Sequence, residues 1–313
     1  MNHDIPEPNN EKHAMDLLSV PDWHTKPGSH LLEFGQAVPK IQLEHNQEFI
    51  ETYPEVQALC RILESRKDKN LFNGPLASVD NVAIGDDGLS ISTKETDFFS
   101  YLASSYYNRD HVGENSVRPL SVQSTIFTPG NKKIILERRP ESMADSPNKL
   151  SVFGGSIKPG IHPDDAILEI SRRKLGLDLS PDQIQPSGLT RDNMANIFCV
   201  TYAVELTEEQ YRTKYEEVKG LMRRHERMFY LVSTDEAQHS MEQILTGKRT
   251  IDQWDPNAFF NLLYALSAKG LRDPQELDAI VNANDAILKE SPLHHTFPIE
   301  KYLGQVSLDR KPE

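Results

Sequence analysis

Cysteine is scarce in this chain: only Cys60 and Cys199 occur in 313 residues, and they lie far apart. That excludes a disulfide framework and the paired-cysteine spacings of zinc sites. Long apolar runs are missing too, so no stretch is suited to span a bilayer, and the polar N-terminus has no signal-peptide core. A cytoplasmic protein without membrane partners is the expectation. An excess of positive charge is also lacking. The 34 Lys and Arg residues are outnumbered by 47 Asp and Glu, for a formal net charge of -13, which argues against generic nucleic-acid binding. Internal repeats and low-complexity tracts are absent. What remains is a chain 37% hydrophobic and 26% charged, an ordinary soluble balance, long enough for one elaborated domain or two modest ones.

In chain order, residues 1–44 are rich in Pro, Asn, Glu and His and read as an irregular arm. Residues 45–117 read as an α+β extension. Its first helix is expected from Asn46 to Arg66, where Phe49, Ile50, Tyr53, Val56, Leu59 and Leu63 recur at helical spacing and Pro54 marks a break or second start. A hairpin follows around Gly85-Asp86-Asp87-Gly88, then a helix N-capped by Thr96 that carries Phe98, Phe99, Tyr101 and Leu102.

Residues 118–270 form the main predicted domain. Strands are expected over 121–128 and 132–137, separated by Pro129-Gly130-Asn131, and a central strand over 196–206. A charged helix over 207–220, a strand over 228–233 and an amphipathic helix over 251–268 complete it. Residues 271–313 hold a last helix, over 274–289, and a tail containing His294-His295, an adjacent pair whose side chains point apart and lack supporting ligands.

The most informative stretch is Leu150 to Leu179. A short β-branched and aromatic run ends in Gly154-Gly155, which reads as a strand entering a tight loop closed by Gly160. Pro163 suits a first helical turn, Asp164 and Asp165 complement the positive helix end, and Gly176 suits a left-handed C-terminal cap. The spacing predicts a helix over 163–175.

With that spacing, the segment resembles the Nudix box, G-x5-E-x7-R-E-U-x-E-E-x-G-U, where U is a bulky aliphatic residue. Gly155 opens the frame, Gly176 closes it and Leu177 takes the final aliphatic position. The strand ending Glu137-Arg138-Arg139 is similar to the family's basic-ended strand, and Ser151-Val152-Phe153-Gly154-Gly155 to its entry into the box. Asn73-Gly74-Pro75-Leu76, a hairpin and an aromatic helix resemble in layout the N-terminal extension of Nudix enzymes that cleave UDP-sugars. The resemblance implies a Nudix-type α/β/α sandwich with a mixed sheet over 118–270, plus the N-terminal α+β extension and C-terminal helices.

Family glutamates hold Mg²⁺ or Mn²⁺ against a diphosphate, and such hard cations need oxygen ligands. Here the first glutamate position holds Ile161, the arginine position Glu169, the helical glutamate position Ile170, and the paired glutamates Arg173 and Lys174. At about 100° per residue, Ile170, Arg173 and Lys174 share a face. Either Arg173 and Lys174 hold a phosphate directly, or they are solvated charges favoured near a helix C-terminus. Asp165 and Glu169 form an i,i+4 pair that offers a replacement metal site, with Arg172 as a competing salt-bridge partner.

Arg138, Arg139, Gly154 and Gly155 complete the candidate phosphate or ligand site. Glu216 and Glu217 are candidate catalytic carboxylates outside the box, the alternative being a solvated helix face. The leading expectation is a Nudix-fold protein that binds a nucleotide or other phosphorylated small molecule, or a protein partner. It needs no cofactor and carries out no Mg²⁺-dependent hydrolysis. The alternatives are a divergent, Mg²⁺-using hydrolase of a nucleoside diphosphate derivative, or different metal-free chemistry on the same scaffold.

Overall fold

The computed structural model describes residues 29–32, 40–65, 73–85, 88–107, 117–139, 148–192, 197–213, 228–246, 248–249 and 254–273. Among these, eight strands build a main sheet and three build a smaller one. The main sheet is organised on β10 (Ile197–Glu205), whose residues Phe198 to Val204 are buried without interruption, as a strand covered on both faces requires. One edge of β10 runs parallel to β5 (Leu120–Phe127), in register from Phe198 opposite Leu120 to Glu205 opposite Phe127. The other edge pairs antiparallel with β9 (Ile184–Asp192), which in turn pairs with β1 (Ser29–Leu32).

The far side of β5 is divided between two strands. Its N-terminal half pairs with β8 (Phe153–Ser156), while Ile126 and Phe127 pair with β6 (Lys133–Arg138). The end of β6 then turns to β7 (Leu150–Ser151), and its outer edge takes β11 (Met228–Ser233). The sheet therefore forks between β5 and β6, and the two short strands β7 and β8 enter the fork.

Helices cover both faces. On one face α3 (Pro163–Leu175) buries Ile167 and Ile170 among Val122, Val200 and Tyr202. On the other, α4 (Thr234–Leu245) and α5 (Pro256–Ala268) pack Met241, Phe259 and Leu263 with Phe127, Leu136 and Ala203. The smaller sheet orders β2 (Ile41–Phe49), β4 (Gly88–Asp97) and β3 (Pro75–Gly85). It shares the α3-side core through Ala77, Val79, Leu89 and Ile91. Backbone bonds lock the two sheets: the Ala77 amide donates to the Ile157 carbonyl at 2.9 Å, and the Val79 amide to that of Arg118 at 2.8 Å. Helices α1 (Pro54–Ser65) and α2 (Phe98–Tyr107) pack together beside this sheet. The expected mixed sheet between helices, preceded by an α+β extension, is the architecture found.

Several local expectations need correction. Residues 46–49, expected to open the first helix, instead end a strand over Ile41–Phe49; the helix begins at Pro54, whose fixed φ and missing N–H suit a first turn. Strands β1 and β2 also place parts of the 1–44 arm in sheets. Asp97, not Thr96, caps α2, its Oδ1 accepting the Ser100 amide at 2.7 Å. The helix predicted from Ile251 begins at Pro256 and is buried all round rather than amphipathic. Helix α4 and strand β9 were not expected. The 207–220 helix appears over 208–213, and its remainder lies outside the described residues, as do the helix predicted over 274–289 and His294-His295.

Candidate functional site

The cleft lies where the main sheet forks. It measures about 260 Å³ and is lined by β5 (Ser121, Gln123), the end of β6 (Glu137, Arg139), the glycines of β8, Lys174 of α3, and Asp255 and Asn257 at the start of α5. Phe98 and Tyr101 of α2, with Ile197 of β10, form an apolar wall. The site thus collects residues from elements spread over half the chain.

Local sequence explains how α3 reaches it. His162 caps the helix, its Nδ1 accepting the Asp164 amide at 3.2 Å, and Pro163 occupies the first turn. Gly176 ends the helix at φ 60°, its amide donating to Arg172 while the Leu177 amide reaches the Ser171 carbonyl at 3.3 Å. The Tyr202 hydroxyl donates to Asp164 at 2.7 Å; burial, followed by this carboxylate, pushes the phenol pKa well up. The helix is tied down at both ends and along its buried face, so the positions of Ile170 and Lys174 are fixed.

Gly154 and Gly155 do not form the expected tight loop. Both lie within β8, paired opposite Gln123 and Val122, and neither has a positive φ. Close approach of backbone requires glycine at Gly154, whereas Gly155 meets only the end of a side chain. A Cβ at Gly154 would fall 2.3 Å from the Val122 carbonyl oxygen, and one at Gly155 would meet Ile170 Cδ1 at 3.3 Å. The positive φ falls at Gly160, φ 72°.

The basic face of α3 divides. Ile170 is 3% exposed and packs toward Gly155, whereas Arg173 points to solvent. Lys174 is half-buried and its Nζ donates to the Gly154 carbonyl at 2.5 Å, so of the two cations this one lines the cleft. The neighbouring arginines also separate. The Arg138 guanidinium lies 5.7 Å from the Tyr230 ring centroid and donates to the Asn148 carbonyl at 3.3 Å. Arg139 instead faces the cleft and pairs with Asp255 at 3.2 Å, with side chains 15% and 4% exposed.

Asp165 and Glu169 are exposed, and Arg172 pairs not with them but with Asp178, at 2.8 Å. Glu216 and Glu217 lie outside the described residues. Sequence reasoning missed Glu137, Asp255, Asn257 and the aromatic wall. Asp255-Pro256 was a readable helix start, an N-cap before a first-turn proline. Nothing local marked Glu137, which is 4% exposed because β7 and β11 flank its strand. Among the described residues, no three His, Cys, Asp or Glu side chains gather closely enough to hold a metal ion.

No family model and no curated protein match the chain. Among solved structures, it is similar to a MutT/nudix family protein from Enterococcus faecalis, at 17% identity and a TM-score of 0.28, over 33% of this chain and 42% of that one. Another is a MutT/nudix family protein from Listeria innocua, at 15% identity and 0.36, over 51% of this chain and 97% of that one. A third is the complex between the C-terminal domain of mouse MUTYH and human PCNA, at 18% identity and 0.23, over 28% and 62%. The chain spans less than half of the Enterococcus protein. These likenesses concern the fold and say nothing about activity.

Proposed function

We propose that this is a Nudix-fold protein with a degenerate box, which binds a nucleotide or other phosphorylated small molecule in the forked cleft without Mg²⁺-dependent diphosphate hydrolysis. One observation carries the reading. Where the resemblance implies a carboxylate platform against the glycine strand, α3 presents Ile170 beside Gly155 and the Lys174 ammonium on the Gly154 carbonyl. An alkyl group and a cation do not fit a divalent metal. A half-buried ammonium instead suits a phosphate oxygen, because charge-assisted hydrogen bonds strengthen where water is excluded. The carboxylate of Asp255 is already engaged, by Arg139 and by the α5 amide of Ala258 at 3.3 Å.

A second reading has an observation of its own. Glu137 is a buried carboxylate on the cleft wall, a position suited to a general base. On that reading the chain is a divergent hydrolase of a nucleoside diphosphate derivative, using Glu137 with carboxylates such as Glu216 or Glu217. Anion-exchange separation of the products formed from nucleoside di- and triphosphates, nucleotide sugars and dinucleotides, with Mg²⁺ or Mn²⁺, distinguishes the two, since hydrolysis of any of them yields a nucleoside monophosphate or other cleaved phosphate product. The proposal expects no turnover above background; turnover at about 1 s⁻¹ or faster, the ordinary enzymatic range, overturns it.

A further inference from the structure

We infer that the cleft takes a ligand no larger than a nucleoside monophosphate, with its planar ring against Phe98 of the N-terminal extension. This rests on the phosphate-binding reading above and names the ligand class within it. Size is the first argument. At about 260 Å³ the cleft falls just below the range of roughly 300–1,000 Å³ usual for small-molecule sites, so it suits a mononucleotide, and much of a dinucleotide or a nucleotide sugar would lie outside it.

The distribution of surface is the second. Within the lining, Phe98, Tyr101 and Ile197 belong to one apolar cluster, whereas Lys174 is bonded to the β8 backbone at Gly154. Tyr101 is only 3% exposed, whereas Phe98 is partly exposed and its ring lies 6.3 Å from that of Tyr101, tilted by 46°. Phe98 is therefore the ring with a face to offer. Aromatic rings stack flat bases with little preference among them, since every base has a π-face.

Charge is the third argument. Arg139 is paired with Asp255, and Glu137 adds a further carboxylate, so the lining residues carry two positive and two negative side chains. That balance favours a single phosphate over a polyphosphate.

The helix carrying Phe98 is set in place by the extension itself: the Phe98 amide donates to the Gly74 carbonyl at 3.0 Å and the Phe99 amide to Asn73 Oδ1 at 2.9 Å. The α+β extension thus becomes part of the binding site rather than an appendage.

The test is calorimetric titration of AMP, GMP, CMP and UMP, with ribose 5-phosphate and NAD⁺ as comparisons, into wild type, Phe98→Leu and Phe98→Trp. Leucine keeps the wall apolar without a π-face, and tryptophan restores one. Monophosphates are expected to bind more tightly than ribose 5-phosphate or NAD⁺. Phe98→Leu should weaken them about tenfold or more while Phe98→Trp retains affinity, with thermal melts confirming that both variants fold. Monophosphates held equally by wild type and Phe98→Leu, or NAD⁺ bound more tightly than AMP, overturn this inference alone. Failure of every phosphate compound to bind wild type sinks the phosphate-binding reading beneath it.

Discussion

Two thirteen-residue helices lie on opposite faces of the main sheet and are held by different means. Helix α3 buries one stripe, including Ile167, Ile170 and Leu175, and leaves Asp165, Glu169, Arg172 and Arg173 exposed. Its ends are fixed by a histidine cap and a left-handed glycine. Helix α5 is buried from Asn257 to Leu266, and two of its side-chain oxygens accept bonds there: Thr125 donates to Asn261 Oδ1 at 2.8 Å, and Thr190 to Asn257 Oδ1 at 3.3 Å, while Asn261 Nδ2 is buried without a hydrogen-bond partner. A solvated helix is specified by periodicity and caps. A helix enclosed on all sides is specified by where its few polar groups find partners, because a buried polar group left unpaired costs about 1–3 kcal/mol.

The comparison predicts unequal mutational costs. Asp255→Ala removes the α5 cap and leaves Arg139 without its 4%-exposed carboxylate, so a loss of about 3–5 kcal/mol is expected in urea melts. A loss below about 1 kcal/mol would show that the buried end of α5 behaves like a solvated one.

Alkaline pH acts next, on the α5 side. Burial pushes the Cys199 thiol up to about 12 from an ordinary 9.0, with Asp255 adding to the rise. A raised folded-state value means that its contribution is intact below the unfolded pKa and is lost as pH climbs toward the folded one. Melts between about pH 8 and about pH 10 should therefore lose less stability in Cys199→Ala than in wild type; parallel losses would contradict this assignment.

On the α3 side, Gly176→Ala forces a side chain into the left-handed region at φ 60° and should cost about 1–2 kcal/mol. A neutral result would mean that the chain past Leu175 readjusts. The smallest effect belongs to Asp178→Ala. Its pair with Arg172 is exposed, at 68% and 81%, and should contribute below about 1 kcal/mol, diminishing further in high salt.

The same contrast explains what was legible in the sequence. Helix α3 was readable from Pro163 to its Gly176 stop because every signal is local: proline at the first turn, acidic residues beside it, apolar spacing, glycine at the end. Strand β10 was readable as a β-branched and aromatic run from Ile197 to Val204, with Thr201 its one polar residue. Helix α5 was extended too far back, since Trp254 continues the apolar pattern although it bridges Leu150 outside the helix. Helix α4 went unseen despite its Ser233–Glu236 capping box, whose local bonds are present in the fold.

The candidate site was half legible. Gly154, Gly155 and Lys174 sit in one motif, and Arg139 stands at a recognisable strand end. Asp255, Asn257, Glu137 and Phe98 join them only through the forked sheet and the docked extension, long-range pairings that no local pattern encodes. Even the adjacent Arg138 and Arg139 part company: one reaches the Tyr230 ring and the other the cleft.

Calorimetric titration of a nucleoside phosphate panel in the presence of EDTA, into wild type, Lys174→Gln and Arg173→Gln, tests the central claim most directly. The account predicts that wild type binds without metal and more weakly as salt rises. It also predicts that Lys174→Gln loses about tenfold or more while Arg173→Gln matches wild type, since the first cation lines the cleft and the second faces water. Binding that disappears in EDTA and returns with Mg²⁺, or that is indifferent to Lys174, would contradict it.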